Sequence, residues 1–195
     1  MNEIEILLSI ALGVGLAAAA GLRVFVPLLV LSVAAYGGHL ELDPSFAWIG
    51  TLPALLMLAV AATIEVLSYY IPGVDNLLDV IATPAALLAG TLAAAAVITD
   101  LPPLVKWTTA IIAGGGAAGL TQGVTSLLRA KSTATTGGLG NAAIASGELG
   151  GAVILSVLAI LAPIVTVGLV LLLCWGAVKL LRRLWLGARG AAPPV

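Results

Sequence analysis

Glu-Val-Leu-Ser-Tyr-Tyr-Ile-Pro-Gly-Val-Asp-Asn-Leu-Leu-Asp-Val-Ile-Ala-Thr-Pro, residues 65–84, sets three carboxylates and two prolines between apolar runs long enough to cross a bilayer. Glu65 stands near the end of one run, Pro72-Gly73 turns the chain, and Asp75 and Asp79 open the next. Ionisable groups at or inside a membrane boundary are costly unless paired, hydrated or used, so this stretch predicts a membrane protein with a polar interior.

Composition agrees. Hydrophobic residues make up 61% of the 195-residue chain and charged residues 9%, against about 25% in a soluble domain. The mean hydropathy is +1.19. Residues 1–195 therefore read as one integral membrane domain, all-α, with halves 1–100 and 101–183 and a short basic tail, 184–195. Glu3 and Glu5 precede the first apolar run without a Lys or Arg, so that run is expected to stay rather than be cleaved as a signal peptide. A net charge of −1 argues against a nucleic-acid partner. With His39 and Cys174 alone of their kinds, His/Cys metal sites and disulfides are excluded, and no cofactor is expected.

Along the chain, Ile6 to Tyr36, interrupted at Gly13, Gly15, Gly21, Arg23 and Pro27, reads as one tilted span with a weakened centre or as two half-helices, and one broken span is the favoured reading. Gly37 to Phe46 is a solvated loop, Ala47 to Tyr70 a second span with Trp48, Tyr69 and Tyr70 at headgroup level, and Asp75 or Asp79 to Ile98 a third. Leu104 to Leu128 is the fourth. Ser132 to Glu148 is polar and Gly-rich but uncharged before Glu148, and Gly150 to Leu181 is the last span, with Pro163 inside it.

Counting Ser132 to Glu148 as a crossing gives about six crossings with both termini inside. Arg129, Lys131, Lys179, Arg182, Arg183 and Arg189 then face Lys106 across the membrane, as the positive-inside rule prefers. A five-crossing arrangement leaves Arg129 and Lys131 on the wrong side and so separates the same residues less sharply, five to two instead of six to one. Gly-rich first crossings from Gly13 and Gly114, glutamates at 65 and 148, and prolines at 84 and 163 further suggest a three-plus-three inverted repeat with broken, polar crossings.

The charges within these spans are the candidate site. An intramembrane arginine costs at least about 2.5 kcal/mol without a partner, and depth in the six-crossing arrangement matches Arg23 with Glu148 and Arg129 with Glu65. Static pairing or snorkelling is the alternative. Asp75 and Asp79, at i and i+4, share a helix face and have the geometry that holds Mg²⁺ with a phosphate substrate, or else cap and open a helix. Thr135, Thr136 and Asn141 add hydroxyls and an amide, while Gly114, Gly115, Gly116 and Gly119 read as a helix-contact surface.

Three blocks and one pairing carry a resemblance. They are Gly-Leu-Arg-Val-Phe-Val-Pro-Leu-Leu from Gly21, Glu65 with Tyr-Tyr-Ile-Pro-Gly-Val-Asp-Asn-Leu-Leu-Asp, Ile-Ala-Thr-Pro-Ala-Ala from Ile81, and Arg129 with Thr-Thr-Gly-Gly-Leu-Gly-Asn and Glu148. Over nearly the whole chain it resembles the bacterial membrane family known as domain of unknown function 4126. The resemblance implies a small polytopic protein, and no activity travels with it.

The residues themselves favour a transporter or channel of the bacterial inner (plasma) membrane, passing a small ion or solute through a polar interface between two helical halves. Arg23, Glu65, Asp75, Asp79, Arg129, Thr135, Thr136, Asn141 and Glu148 are the expected binding groups. A Mg²⁺-dependent membrane enzyme using Asp75 and Asp79, and a non-transporting scaffold, are the other readings. The bilayer is the expected surrounding, and Gly-rich surfaces permit a homodimer.

Overall fold

The computed structural model describes residues 3–71, 74–99 and 101–190, and all of their side chains except those of residues 75, 76, 177, 178 and 180–190. The Pro72-Gly73 turn, the Asp75 side chain, Asp100 and the end of the basic tail lie outside the described residues. Among those residues there is no strand: α1 (Glu3–Ala20), α2 (Phe25–Tyr36), a 3-10 helix (Pro44–Gly50), α3 (Leu52–Ser68), α4 (Val74–Val97), α5 (Pro103–Thr109), a π-helical segment (Ala110–Gly115), α6 (Gly116–Thr136), α7 (Asn141–Leu161) and α8 (Pro163–Gly190). Four helical stretches are long and apolar enough to cross a membrane, and a fifth is added if the 3-10 helix and α3, bent by 68°, count as one. The expected all-helical, polytopic membrane fold is the one observed.

Small residues set the helix directions by letting backbones touch. A Cβ on Gly13 would lie 3.0 Å from the Ala94 Cα, one on Gly90 3.2 Å from the Ala17 Cβ, and one on Gly114 2.7 Å from the Ala94 Cβ. α1 and the π-segment with α6 therefore both run antiparallel to α4, and parallel to each other. Gly15 faces Ala159 while Gly151 faces Leu22, so α7 runs against α1. α2 runs with α7, since Val26 packs with Ala152 near its start and Tyr36 lies beside Leu161 at its end. The seam is close to solid alanine: Ala17 to Ala20 and Ala93 to Ala96 are all buried.

Four expectations about topology change accordingly. Ile6 to Tyr36 is not one broken span but a helical hairpin, α1 running in and α2 running back. It turns at Gly21 to Val24, where a Cβ on Gly21 would meet the Thr121 Cβ at 2.7 Å. Ser132 to Glu148 is not a crossing: it holds the end of α6, a turn and the start of α7. Gly137 and Gly138, at φ 63° and 92°, supply the left-handed backbone that reverses the chain. Gly150 to Leu181 is two helices, because Pro163, lacking an N–H, begins α8 after the bend at Ala162. Finally, the inversion between halves is absent, since α1 and α6 point the same way, and α8 points with α1 because Gly15 faces Thr166 and, further along both helices, Ala18 packs with Val170. The start of α1 and the end of α8 thus lie at opposite ends of the bundle, not on one side.

At one end, which we call the Asp43 end, the loop before the 3-10 helix is pinned to the bundle. Asp43 N–H donates to the Ala96 carbonyl at 2.8 Å, and Lys106 Nζ donates to Asp43 Oδ2 at 2.7 Å. Asp43 Oδ1 also accepts from the Ser45 N–H, capping the 3-10 helix. Burial pushes the Asp43 carboxyl up, but the Lys106 and Ser45 hydrogen bonds outweigh it and hold the group below its ordinary range. The other end, the Asn141 end, carries the α6–α7 turn.

Candidate functional site

Inside the bundle toward the Asn141 end, five elements bring their charges together. Arg23 is held in the α1–α2 turn and is 1% exposed; Arg129 on α6 is 2% exposed. Both reach one carboxylate, Glu148 on α7. Arg129 Nε donates to Glu148 Oε1 at 3.0 Å and its Nη2 pairs with Oε2, a bidentate fork, while Arg23 Nη2 lies 3.3 Å from that same Oε2. Arg23 Nη2 also donates to the Ala145 carbonyl at 3.0 Å. The geometry follows from the α6–α7 hairpin, since Arg129 and Glu148 each stand about two helical turns back from its tip and so face each other.

Tyr69, at the end of α3, offers its ring to both cations. The Arg23 Cζ lies 3.8 Å from its ring centroid and the Arg129 Cζ 4.2 Å, so both guanidinium groups pack on the one ring. Cation–π attraction offsets part of the repulsion between the arginines, and an aromatic ring asks for none of their hydrogen bonds. Tyr69 was assigned by sequence to the headgroup belt with Tyr70. Instead it is buried, whereas the exposed Tyr70 hydroxyl pairs with Ser146 at 2.9 Å. The spacing of Tyr69 four residues after Glu65, on the same helix face, was the signal available for it.

Glu65 does something that sequence did not anticipate. Its Oε1 accepts from the Val24 N–H at 2.7 Å and its Oε2 from the Phe25 N–H at 3.0 Å, satisfying backbone donors left open at the start of α2. A carboxylate at a helix N-terminus is also favoured by the helix dipole. Glu65 is therefore not the ion-pair partner of Arg129. That partner is Glu148, with Asp79 Oδ1 a further 3.8 Å from Arg129 Nε, while Arg23 does pair with Glu148 as depth suggested.

The remaining expected groups lie apart from this cluster. Thr135 and Thr136 are exposed at the α6–α7 turn, Thr135 bonded to the Lys131 carbonyl at 2.9 Å and Thr136 to the Ser132 carbonyl at 2.8 Å. Thr136 Oγ1 also accepts from the Gly140 N–H, and the buried Asn141 amide donates to Thr133 at 3.0 Å. These three hold the turn. Gly114, Gly115 and Gly119 face Ala94, Thr91 and Leu87 of α4, a contact surface as expected, whereas a Cβ on Gly116 would meet nothing within 4 Å, so Gly116 is not part of it.

Two cavities flank the cluster. One, of about 360 Å³, is walled by α6, α7 and α8 residues including Thr121, Val124, Leu128, Gly147, Glu148 and Cys174. The other, of about 310 Å³, includes Val24, Glu65, Tyr69 and Leu78. Glu148 thus borders one cavity and Glu65 with Tyr69 the other, so the arginine-tyrosine stack stands between them. Arg23 keeps donors in reserve: its Nε and Nη1 are buried without a hydrogen-bond partner among the described residues. Among the described residues no three His, Cys, Asp or Glu side chains gather as a metal would require. No curated protein and no solved structure matches the chain. The family model described as Domain of unknown function (DUF4126) does match it, over residues 10–183, and the chain belongs to that family.

Proposed function

We propose that the protein passes a small ion or solute across the bacterial inner membrane, through the space between the α1–α2 hairpin and α3, α4, α6 and α7. One observation carries the reading: two arginines and a shared glutamate buried within apolar helices, with a cavity on either side. Charges at that depth are expensive to keep and mark functional sites by default. A helical hairpin that turns inside the bundle is tolerated when its backbone is satisfied by protein, here by Glu65, and such broken helices are recurrent features of transporter sites. Basic residues on α6 and α8 gather toward the Asn141 end, which the positive-inside rule places in the cytoplasm. The alanine seam then forms the closure toward the Asp43 end.

Asp79, drawn toward Arg129, is a poorer metal ligand than its spacing suggested, which lowers the enzyme reading. Purified protein in liposomes loaded with a panel of inorganic ions and small organic ions provides the test. Flux above that of empty liposomes, lost in the folded Glu65→Gln, Glu148→Gln double variant, is expected. Undiminished flux through a monodisperse double variant would overturn the assignment.

A further inference from the structure

The cluster has acceptors that are full and donors that are not. Glu65 is engaged by two backbone N–H groups and Glu148 by two arginines, so neither presents the open oxygen ligands that a cation would need. Arg23 Nε and Nη1, in contrast, are buried without an acceptor among the described residues. Buried donors without partners are costly, and a site that carries them is built to receive an acceptor. Two guanidinium groups fixed face-on to one ring and converging on one carboxylate form a preorganised oxyanion clamp.

The clamp currently holds Glu148, and Glu148 is also the one charged group on the wall of the 360 Å³ cavity. The rest of that wall is nearly all hydrocarbon, with Leu128, Ile144 and Leu173 among its residues. A cavity of this size and character takes a small ligand whose body is apolar and whose polar end is fixed by few groups. We propose that Glu148 is an internal stand-in for an anion bearing a hydrocarbon body, whose carboxylate or phosphate displaces Glu148 from Arg23 and Arg129 while its chain fills the cavity. The ligand is either a soluble amphiphile or a membrane lipid, since both present this chemistry. The assignment deepens the transport reading by naming its substrate class, and it is tested without flux.

Cys174 is the only cysteine in the chain and lies on the cavity wall, so it reports occupancy directly. In the purified detergent-solubilised protein, octanoate should slow N-ethylmaleimide labelling of Cys174, and octylamine and octanol at equal concentration should not. Dioleoyl phosphatidic acid supplied in mixed micelles is the second arm: protection by it and not by octanoate assigns a lipid, and the reverse a soluble amphiphile. In Glu148→Gln the internal competitor loses its charge but keeps its shape, so half-protection should come at about tenfold lower ligand concentration. A merely structural glutamate predicts no gain. Val124→Trp, which fills the cavity without touching the clamp, should abolish protection by either anion while thermal unfolding stays cooperative. Equal protection by octanol, protection by inorganic phosphate alone, or no protection by either amphiphile would each overturn the assignment. Protection without liposome flux would leave the ligand standing and remove transport. Flux of an inorganic ion without protection would do the opposite.

Discussion

The Asp43 half and the Asn141 half of the bundle solve opposite problems with the same helices. Toward the Asp43 end, α1, α4 and α6 touch through alanine and glycine, and the ion pair of Asp43 with Lys106 pins the connecting loop at the edge. Toward the Asn141 end the same helices part around Arg23, Arg129, Glu148 and Tyr69, and two cavities open. Close packing along this seam needs no charged group, and the opening of about 440 Å³ toward the same end lies away from the seam, between α2 and α7. The charged half is what remains when two arginines must be kept among apolar helices, and its stability rests on shared partners rather than on contact area.

Removing the shared partner should therefore have the largest effect. Glu148→Leu leaves two buried guanidinium groups without their common carboxylate, and breaking a buried pair in this way costs about 3–5 kcal/mol. Thermal unfolding in detergent, followed by circular dichroism, should show a large fall in midpoint. A midpoint within about a degree of the parent would mean that the arginines are solvated and that the charged half is not closed.

Glu65→Ala should follow. It deprives the Val24 and Phe25 N–H groups of their acceptors, at about 1–3 kcal/mol for the partly buried Val24 donor and less for the exposed Phe25 donor. Because the loss is local to the hairpin turn, amide exchange at Val24 and Phe25 should accelerate well before exchange along α7. Uniform acceleration across the bundle would show that the cap supports the whole fold rather than the hairpin.

These two residues also mark how far the sequence could be read. Helix content, membrane character and the small-residue seam were legible because they depend on local composition: long apolar runs, and glycine and alanine at close spacing. Direction was not. Ile6 to Tyr36 is apolar on both sides of Arg23, so nothing in its periodicity distinguishes a bent span from a hairpin. In addition, Gly137-Gly138 and Pro163 mark reversals by single backbone angles rather than by polarity. With the directions wrong, depth matched Arg129 to Glu65. The pairing of Arg23 with Glu148 survived because both groups sit at the same level in either arrangement. Tyr69 was missed because an aromatic beside a span end fits the headgroup belt equally well, and only the tertiary fold brings its ring against two cations.

The packed half gives a smaller effect with a built-in control. A Cβ on Gly90 would lie 2.5 Å from the Ala118 Cβ, whereas one on Gly123, on the same α6 that Gly90 faces, would meet nothing within 4 Å. Gly90→Ala should destabilise by about 1–3 kcal/mol through overpacking, while Gly123→Ala should be neutral or stabilising by the helix propensity of alanine, about 1 kcal/mol. Opposite signs from one substitution type would locate the tight seam. Equal effects would dissolve the contrast between the halves.

The smallest effect is expected at the Asp43 end, and it appears as a pH dependence. Asp43 is held below its ordinary value of 3.8 by Lys106 and Ser45 despite its burial. A carboxyl whose folded value is depressed binds its proton more readily in the unfolded chain. Its contribution is therefore fully present above about pH 3.8 and is lost as pH falls through the folded value. At neutral pH, Asp43→Asn keeps an acceptor for the Ser45 N–H but replaces a charge-assisted bond from Lys106 with a neutral one, a loss of about 1 kcal/mol. Chemical unfolding measured from pH 7 to pH 3 should show parent and variant separated at neutral pH and converging as the acid limb is descended, because protonation removes from the parent what the substitution has already removed from the variant. Curves that stay parallel to pH 3 would show that the Lys106 contact contributes geometry without charge. The loop before the 3-10 helix would then be held by the Asp43 N–H bond to Ala96 and by the packing of Phe46 against Trp107 instead.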